Sequence, residues 1–243
     1  MSKWTQAAES LVTGDAELAA LAALAESTDT RGLLEAVLAG RYSGRTAVVT
    51  SFGAESAVLL HLVAGIDRRA PVIFLETGKL FPETLAYHDL LVERLGLEDV
   101  RSIRPDAAAL LAADPAGDLW RRDPDRCCRL RKVEPLERAL AGFSVWINGR
   151  KRYQSEERSH LPLVERAEGR IKLNPLVAWS ERDIGHYFAR HRLPKHPLAA
   201  QGYRSIGCEP CTTAVSSNED ARSGRWRGSE KTECGIHFPA TRS

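Results

Sequence analysis

Thr46-Ala47-Val48-Val49-Thr50-Ser51-Phe52-Gly53-Ala54-Glu55-Ser56 runs directly into Val58, Leu59, Leu62 and Val63. The first five residues are a short apolar, β-branched run suited to a buried strand, and the last four recur at helical spacing. A Ser/Gly loop lies between them. Strand, loop and helix in this order present backbone N–H groups and a helix N-terminus to an anion, and Ser51 and Ser56 add hydroxyl donors. The loop is not a Walker A sequence, because the Gly-Lys-Ser/Thr is missing. Taken alone it reads equally as a Ser/Gly helix cap.

Working outward, Val72-Ile73-Phe74-Leu75 is a second strand, ending in Glu76-Thr77-Gly78. Phe81-Pro82-Glu83-Thr84 starts a helix with proline in its first turn. Val100–Ile103 and Val145–Asn148 are a third and a fourth strand, the latter running into Gly149-Arg150-Lys151-Arg152. Strands alternating with helices give an α/β fold, a mainly parallel sheet flanked by helices. In such sheets ligands sit beyond the carboxyl ends of the strands. The loops Ser51–Ser56, Glu76–Gly78 and Gly149–Ser155 therefore converge, and the basic third loop suits an anionic ligand. Before the sheet, residues 1–44 form a helical flank, two helices broken near Ser27–Asp29. The segment Glu181–His191 is a further helix. The sheet domain spans 45–215, and the polar, Gly- and Ser-containing stretch 216–243 is expected to be a mobile tail.

Composition narrows the function. The chain has 243 residues, enough for a sizeable core, and a net charge of +2, which implies neither a nucleic-acid nor a membrane partner. Met1–Gln6 holds no apolar signal region, and no stretch approaches the length of a membrane span. A reducing, cytoplasmic setting is expected, where cysteines serve as metal ligands or catalysts. There are five. Cys127-Cys128 sits in the basic run Arg126–Lys132, and Cys208 and Cys211 bracket Glu209-Pro210. Adjacent cysteines make a strained disulfide and fit one tetrahedral zinc poorly, but they can reach two irons of a cubane. A 4Fe-4S cluster on Cys127, Cys128, Cys208 and Cys211 is the expectation, with zinc or free buried thiols as the alternatives. Lys132 lies four residues after Cys128. Cys234 is left over, in a polar tail with Arg222, Arg225 and His237 nearby. It reads as a reactive thiol, since positive neighbours favour thiolate. His237 is either its partner or an ordinary surface histidine.

Together these motifs resemble the adenylyl-sulfate and phosphoadenylyl-sulfate reductase family of assimilatory sulfate reduction, most of all its iron–sulfur, adenylyl-sulfate branch. The resemblance rests on Ser51–Ser56, Leu75-Glu76-Thr77-Gly78, Cys127-Cys128 with Lys132, Gly149–Arg152 with Gln154-Ser155, Ser205–Cys211 and Lys231-Thr232-Glu233-Cys234-Gly235-Ile236-His237. It implies an adenine-nucleotide alpha-hydrolase-like (PP-loop) fold. It also implies that Cys234 attacks adenosine 5′-phosphosulfate and expels AMP, and that thioredoxin or a similar dithiol releases sulfite from the resulting S-sulfocysteine. The implied catalytic residues are Cys234, His237 and Lys132. The implied substrate contacts are Ser51, Gly53, Ser56, Thr77, Gly78, Arg150, Gln154, Arg222 and Arg225. A homo-oligomer is allowed.

The chain departs from the family pattern at Glu76, where Asp is usual, at Thr213, where many members have Arg, and at the acids Glu156 and Glu157. Three other readings stay open. One is the same chemistry on the 3′-phosphorylated nucleotide, which adds a phosphate monoester and needs its own cation. Another is a pyrophosphatase-type ATP enzyme, disfavoured because the loop lacks that group's double Gly and Asp. The third is a zinc-stabilised nucleic-acid-binding module, disfavoured by the near-neutral charge and the lack of an aromatic-rich basic stripe.

Overall fold

The computed structural model of the protein describes residues 14–237. The expectations for Met1–Gln6, for the rest of the flank up to residue 13 and for the end of the tail, 238–243, lie outside the described residues. Two helices, α1 (Asp15–Ser27) and α2 (Thr30–Leu38), precede β1 (Thr46–Thr50) and α3 (Ser56–Ala64). They are separated where the sequence breaks them. Asp29 caps α2 by accepting from the Gly32 amide at 2.8 Å. Then come β2 (Val72–Leu75), α4 (Pro82–Leu95) and β3 (Val100–Ile103). A long crossover of short helices, including α5 (Ala107–Ala113), leads to β4 (Val145–Ile147).

The sheet has six strands in the order β3-β2-β1-β4-β6-β5, with β5 (Val164–Ala167) and β6 (Arg170–Leu173) as a late hairpin. All neighbours are parallel except that hairpin. Strands β1, β2 and β4 are buried on both faces, which is why they read as continuous apolar runs. Alternation sorts their side chains. Val48, Val72, Phe74, Val145 and Ile147 join Leu21, Leu34, Val37, Leu60 and Leu91 on one face. Ala47, Val49, Ile73, Leu75 and Trp146 meet Leu136, Leu140 and Phe143 on the other.

The sequence reading holds four strands, and the structure adds β5 and β6. Their apolar run is broken by Glu165, Arg166, Arg170 and Lys172. Lys172 is nonetheless buried, with its ammonium 4.9 Å from the Trp146 ring centre and an ion pair to Glu165 at 3.4 Å. The hairpin turns at Glu168-Gly169, both with positive φ, as a two-residue turn requires.

This topology fixes where a ligand can bind. From β1 the chain moves to β2 and β3 on one side, then crosses to β4 on the other. The loops after β1 and β4 therefore diverge and leave a crevice at the carboxyl edge. The described part of the tail folds back to that edge. Thr212 and Arg225 form an isolated bridge, and the Trp226 amide donates to the Cys211 carbonyl at 3.1 Å. No helix among the described residues is long and apolar enough to cross a membrane.

His196 ties the second cysteine segment to the sheet domain. Its Nδ1 accepts from the Leu198 amide at 3.2 Å, so its Nε2–H faces the Thr84 hydroxyl at 3.1 Å. Burial holds this imidazole at about 4, against an ordinary 6.5. The unfolded chain therefore takes the proton first. The stability this group contributes is complete above pH 6.5 and is lost as the pH falls through 4. Thermal melts across pH 7 to 4 should show a drop that is flatter in His196→Asn. Parallel profiles would mean that His196 is not the titrating group.

Candidate active site

The loop after β1 is held open by a bulky residue in a conformation that favours glycine. Phe52 has φ of 48° and is fully buried against Phe74, with ring centres 5.1 Å apart, and His88, at 4.6 Å. Burial of the ring compensates a backbone cost of about 1–3 kcal/mol. The loop then climbs into α3. Among the described residues, the amides of Gly53, Ala54 and Glu55 have no backbone acceptor. This is the arrangement that receives an anion.

One cleft collects most of the residues singled out in the sequence. Ser51, Gly53, Ser56, Thr77, Lys132, Arg150, Gln154, Arg222, Arg225, Cys234 and His237 all line it. Gly78 does not. It turns away at φ of 70°, exposed, and its amide donates to Glu76 Oε1 at 2.8 Å. The longer Glu76 also pairs with Arg104 at 2.8 Å, so the extra methylene carries its carboxylate to a local ion pair. Glu156 and Glu157 point to solvent. Thr213 binds the backbone of Gly224.

The cleft also contains charges that motif reading passed over. Lys151 is buried and pairs with Glu55 at 2.7 Å, while Tyr153 and Gln154 donate to the same carboxylate. Burial pushes Glu55 up, but Lys151 outweighs it and the group titrates below its usual range. Arg150 is braced by Glu165, Asn148 and Asn174. Burial pulls Lys172, beside Glu165, down to about 8. Arg158 Nε donates to Glu233 Oε1 at 2.5 Å, and Arg222 donates to Glu233 Oε2 at 2.9 Å. The signal for Lys151 lay in the basic run 149–152, but Arg152 of that run is exposed and binds the Leu161 carbonyl. Glu233 gave no signal beyond its place in the tail motif, and Arg158 gave none.

Arg225 lies flat. Its guanidinium is 4.5 Å from the Trp226 ring centre, and a Cβ at Gly207 would meet it at 2.2 Å, so any side chain at 207 would displace the guanidinium from this position. Burial and the surrounding Arg150, Lys172, Arg158 and Arg222 push His237 well below its ordinary value, so its imidazole is neutral near pH 7. Positive charge around Cys234 therefore comes from arginine and lysine.

Behind the cleft, Cys127, Cys128, Cys208 and Cys211 line a second, small cavity with Lys79, Trp120 and Arg131. None of the four is in a disulfide. A π-helical turn, Arg129–Val133, follows the first pair directly. It places half-buried Lys132 on the wall of both cavities. Burial pushes Cys128 up to about 12 and lifts Cys127 and Cys211. At Cys208 burial also acts upward, but Lys132, the Thr77 hydroxyl at 3.3 Å and Arg225 bring the thiol below its ordinary value. Four soft donors from two segments, with cations beside them, fit an iron–sulfur core. Glu233, Cys234 and His237 also offer ligand atoms within 4.8 Å of one another. That set does not suit a metal cation, because Glu233 is committed to two arginines.

The phosphoadenosine phosphosulfate reductase domain model matches residues 45–214. The chain belongs to this family. Among relatives named adenosine 5′-phosphosulfate reductase, that of Mesorhizobium japonicum is 54% identical over 192 residues, covering 79% of this chain and 76% of the relative. One from Bacillus subtilis is 40% identical over 201 residues, covering 82% and 86%. The fold of this reductase-family chain resembles that of phosphoadenylyl-sulfate reductase from Candida auris, with a TM-score of 0.70, 23% identity and coverage of 84% of this chain and 98% of that one. Yeast FAD synthetase shares the fold more loosely, with a TM-score of 0.53, 17% identity and coverage of 86% and 73%.

The first cysteine pair depends on a buried ion pair. Arg131 Nη2 donates to Asp114 at 2.6 Å and Nη1 donates to the Thr77 carbonyl at 2.8 Å. Asp114→Ala leaves the guanidinium buried and unpaired, at an expected cost of about 3–5 kcal/mol. Anaerobic urea unfolding should show the midpoint fall accordingly. A shift of under about 1 kcal/mol, the scale of an exposed pair, would contradict this role.

Proposed function

We propose that this protein reduces adenosine 5′-phosphosulfate to sulfite and AMP, in assimilatory sulfate reduction, with Cys234 as the nucleophile. The observation that carries the reading is that Cys234, the thiol outside the two pairs, lines one cleft with the Ser51–Ser56 loop, Lys132, Arg222 and Arg225. The Cys234 thiolate attacks the sulfonyl sulfur, and the bond from sulfur to the phosphate oxygen breaks as AMP leaves. The product on the enzyme is a Cys234 S-sulfonate. A dithiol such as thioredoxin attacks Cys234 Sγ and sulfite departs with the electron pair of the S–S bond. The second thiol of the dithiol then resolves the mixed disulfide and restores Cys234, so the reductant supplies two electrons overall.

Charge governs the first step. An anionic nucleophile approaches an anionic substrate, and the positive groups lining the cleft offset their repulsion. The loop amides and Ser51, Ser56 and Thr77 suit the phosphate. Arg150, Gln154, Arg222 and Arg225 suit the phosphosulfate, with guanidinium geometry matched to two oxygens at once. Neutral His237 beside Cys234 can exchange the thiol proton. Gly78 keeps a supporting role in the turn that positions Thr77.

Cys127, Cys128, Cys208 and Cys211 would hold a 4Fe-4S cluster. Bound there, it would supply a cationic iron–sulfur core that offsets part of the charge of the four thiolates, with Lys132 between them and the cleft. The three-part division of the chain into 1–44, 45–215 and 216–243 fits this scheme. The tail docks for the first step and leaves for the second, because Cys234 must reach a second protein. A cytoplasmic setting supplies such a reductant. The names of the relatives favour the nucleotide without a 3′-phosphate, and competition between the two nucleotides tests that choice.

Mixed with excess adenosine 5′-phosphosulfate and no dithiol, the enzyme should release about one AMP per active site. Cys234→Ser should bind AMP, keep about four irons per chain on the cubane stoichiometry, and release none. Continued turnover without dithiol, or AMP release by Cys234→Ser, would contradict the mechanism. Iron that survives Cys128→Ser unchanged, or zinc in its place, would contradict the cluster.

A further inference from the structure

We propose that Glu233 is the clasp that positions Cys234, and that the clasp is wired to the nucleotide loop through Arg158 and Gln154. This inference rests on the reading of Cys234 as the nucleophile. Glu233 precedes Cys234 directly and is 7% exposed. Its two carboxylate oxygens are divided between two arginines of different origin. Arg222 belongs to the tail itself and also donates to the Thr232 carbonyl at 2.7 Å. Arg158 belongs to the sheet domain, in the loop after β4. The carboxylate therefore joins tail to domain one residue from the thiol.

Arg158 continues the connection. Its Nη1 donates to Gln154 Oε1 at 2.5 Å, and Gln154 Nε2 donates to Glu55 Oε2 at 2.8 Å. Glu55 stands in the Ser51–Ser56 loop, the part of the cleft suited to a phosphate. A single hydrogen-bonded line thus runs Glu55–Gln154–Arg158–Glu233 and ends beside Cys234. Among the described residues the other ion pair from tail to domain, Lys231–Asp125, has an Asp125 side chain 84% exposed and so holds weakly. Buried, charge-assisted hydrogen bonds are the strong ones. Removing the Glu233 charge leaves Arg158 and Arg222 as neighbouring buried cations, which drives the tail away from the cleft.

The test compares wild type, Glu233→Gln, Glu233→Asp and Arg158→Gln as iron-loaded protein. The readouts are single-turnover AMP release, AMP affinity and tryptic cleavage within the tail. Glu233→Gln should lower the limiting rate of AMP release about tenfold or more, equivalent to about 1.4 kcal/mol. AMP affinity should change little, since the clasp positions the nucleophile and not the nucleotide. Tryptic cleavage of the tail should quicken, and Glu233→Asp should recover part of the rate. Combined with Arg158→Gln, Glu233→Gln should cost little beyond either change alone, because both break one contact. A limiting rate in Glu233→Gln close to wild type overturns the clasp. So do additive losses, or a loss carried by AMP affinity alone. If Glu233→Gln does not fold, a wild-type limiting rate in Arg158→Gln overturns it instead. A wild-type enzyme that releases no AMP would refute the proposed function itself, a result distinct from any of these.

Discussion

Buried positive charge is the constraint on which this structure depends. A cleft that brings a thiolate to a doubly anionic ligand must be lined with arginine and lysine. Cations withdrawn from water must be paired whenever the ligand is absent. The protein meets this demand with its own acids. Glu55 holds Lys151, Glu165 holds Arg150 and Lys172, and Glu233 holds Arg158 and Arg222. Behind the cleft, Asp114 does the same for Arg131. Of these acids only Glu233 lies in the tail. The balance of charge in the cleft is thus tied to where the tail sits.

The topology brings the two halves of the site together from distant parts of the chain. Cys127 and Cys128 sit in the crossover between β3 and β4, and Cys208 and Cys211 follow the last helix. Leu80 and Cys208 form an isolated bridge, and Glu209 donates to the Lys79 carbonyl at 2.8 Å. The second pair is thereby fixed to the segment just after β2. Lys132 then faces both cavities, so any charge placed on the thiols is felt in the cleft.

What the sequence disclosed followed from burial. β1, β2 and β4 were legible because both faces are covered and the apolar run is unbroken. β5 and β6 were not, because Lys172 is buried by pairing with Glu165 and lying over Trp146, which composition does not register. The π-helical turn after Cys128 has no sequence signature, although it sets the direction of Lys132. The tail reads as mobile from its polar composition, yet Trp226 and Glu233 are buried in the docked arrangement. Tertiary pairing of charges makes that possible, and only the fold brings Arg158 and Glu233 together. The motifs singled out residues that the fold gathers along one cleft, and Gly78 was the one that the motif carried along without a place there.

Location of the covalent intermediate tests this account most directly. After one turnover with adenosine 5′-phosphosulfate and no reductant, peptide mapping by mass spectrometry should find a single sulfonate on the tail peptide containing Cys234. Added dithiol should discharge it as sulfite. A sulfonate on Cys127, Cys128, Cys208 or Cys211, or full turnover with no protein-bound sulfonate, would contradict the central role of the tail thiol.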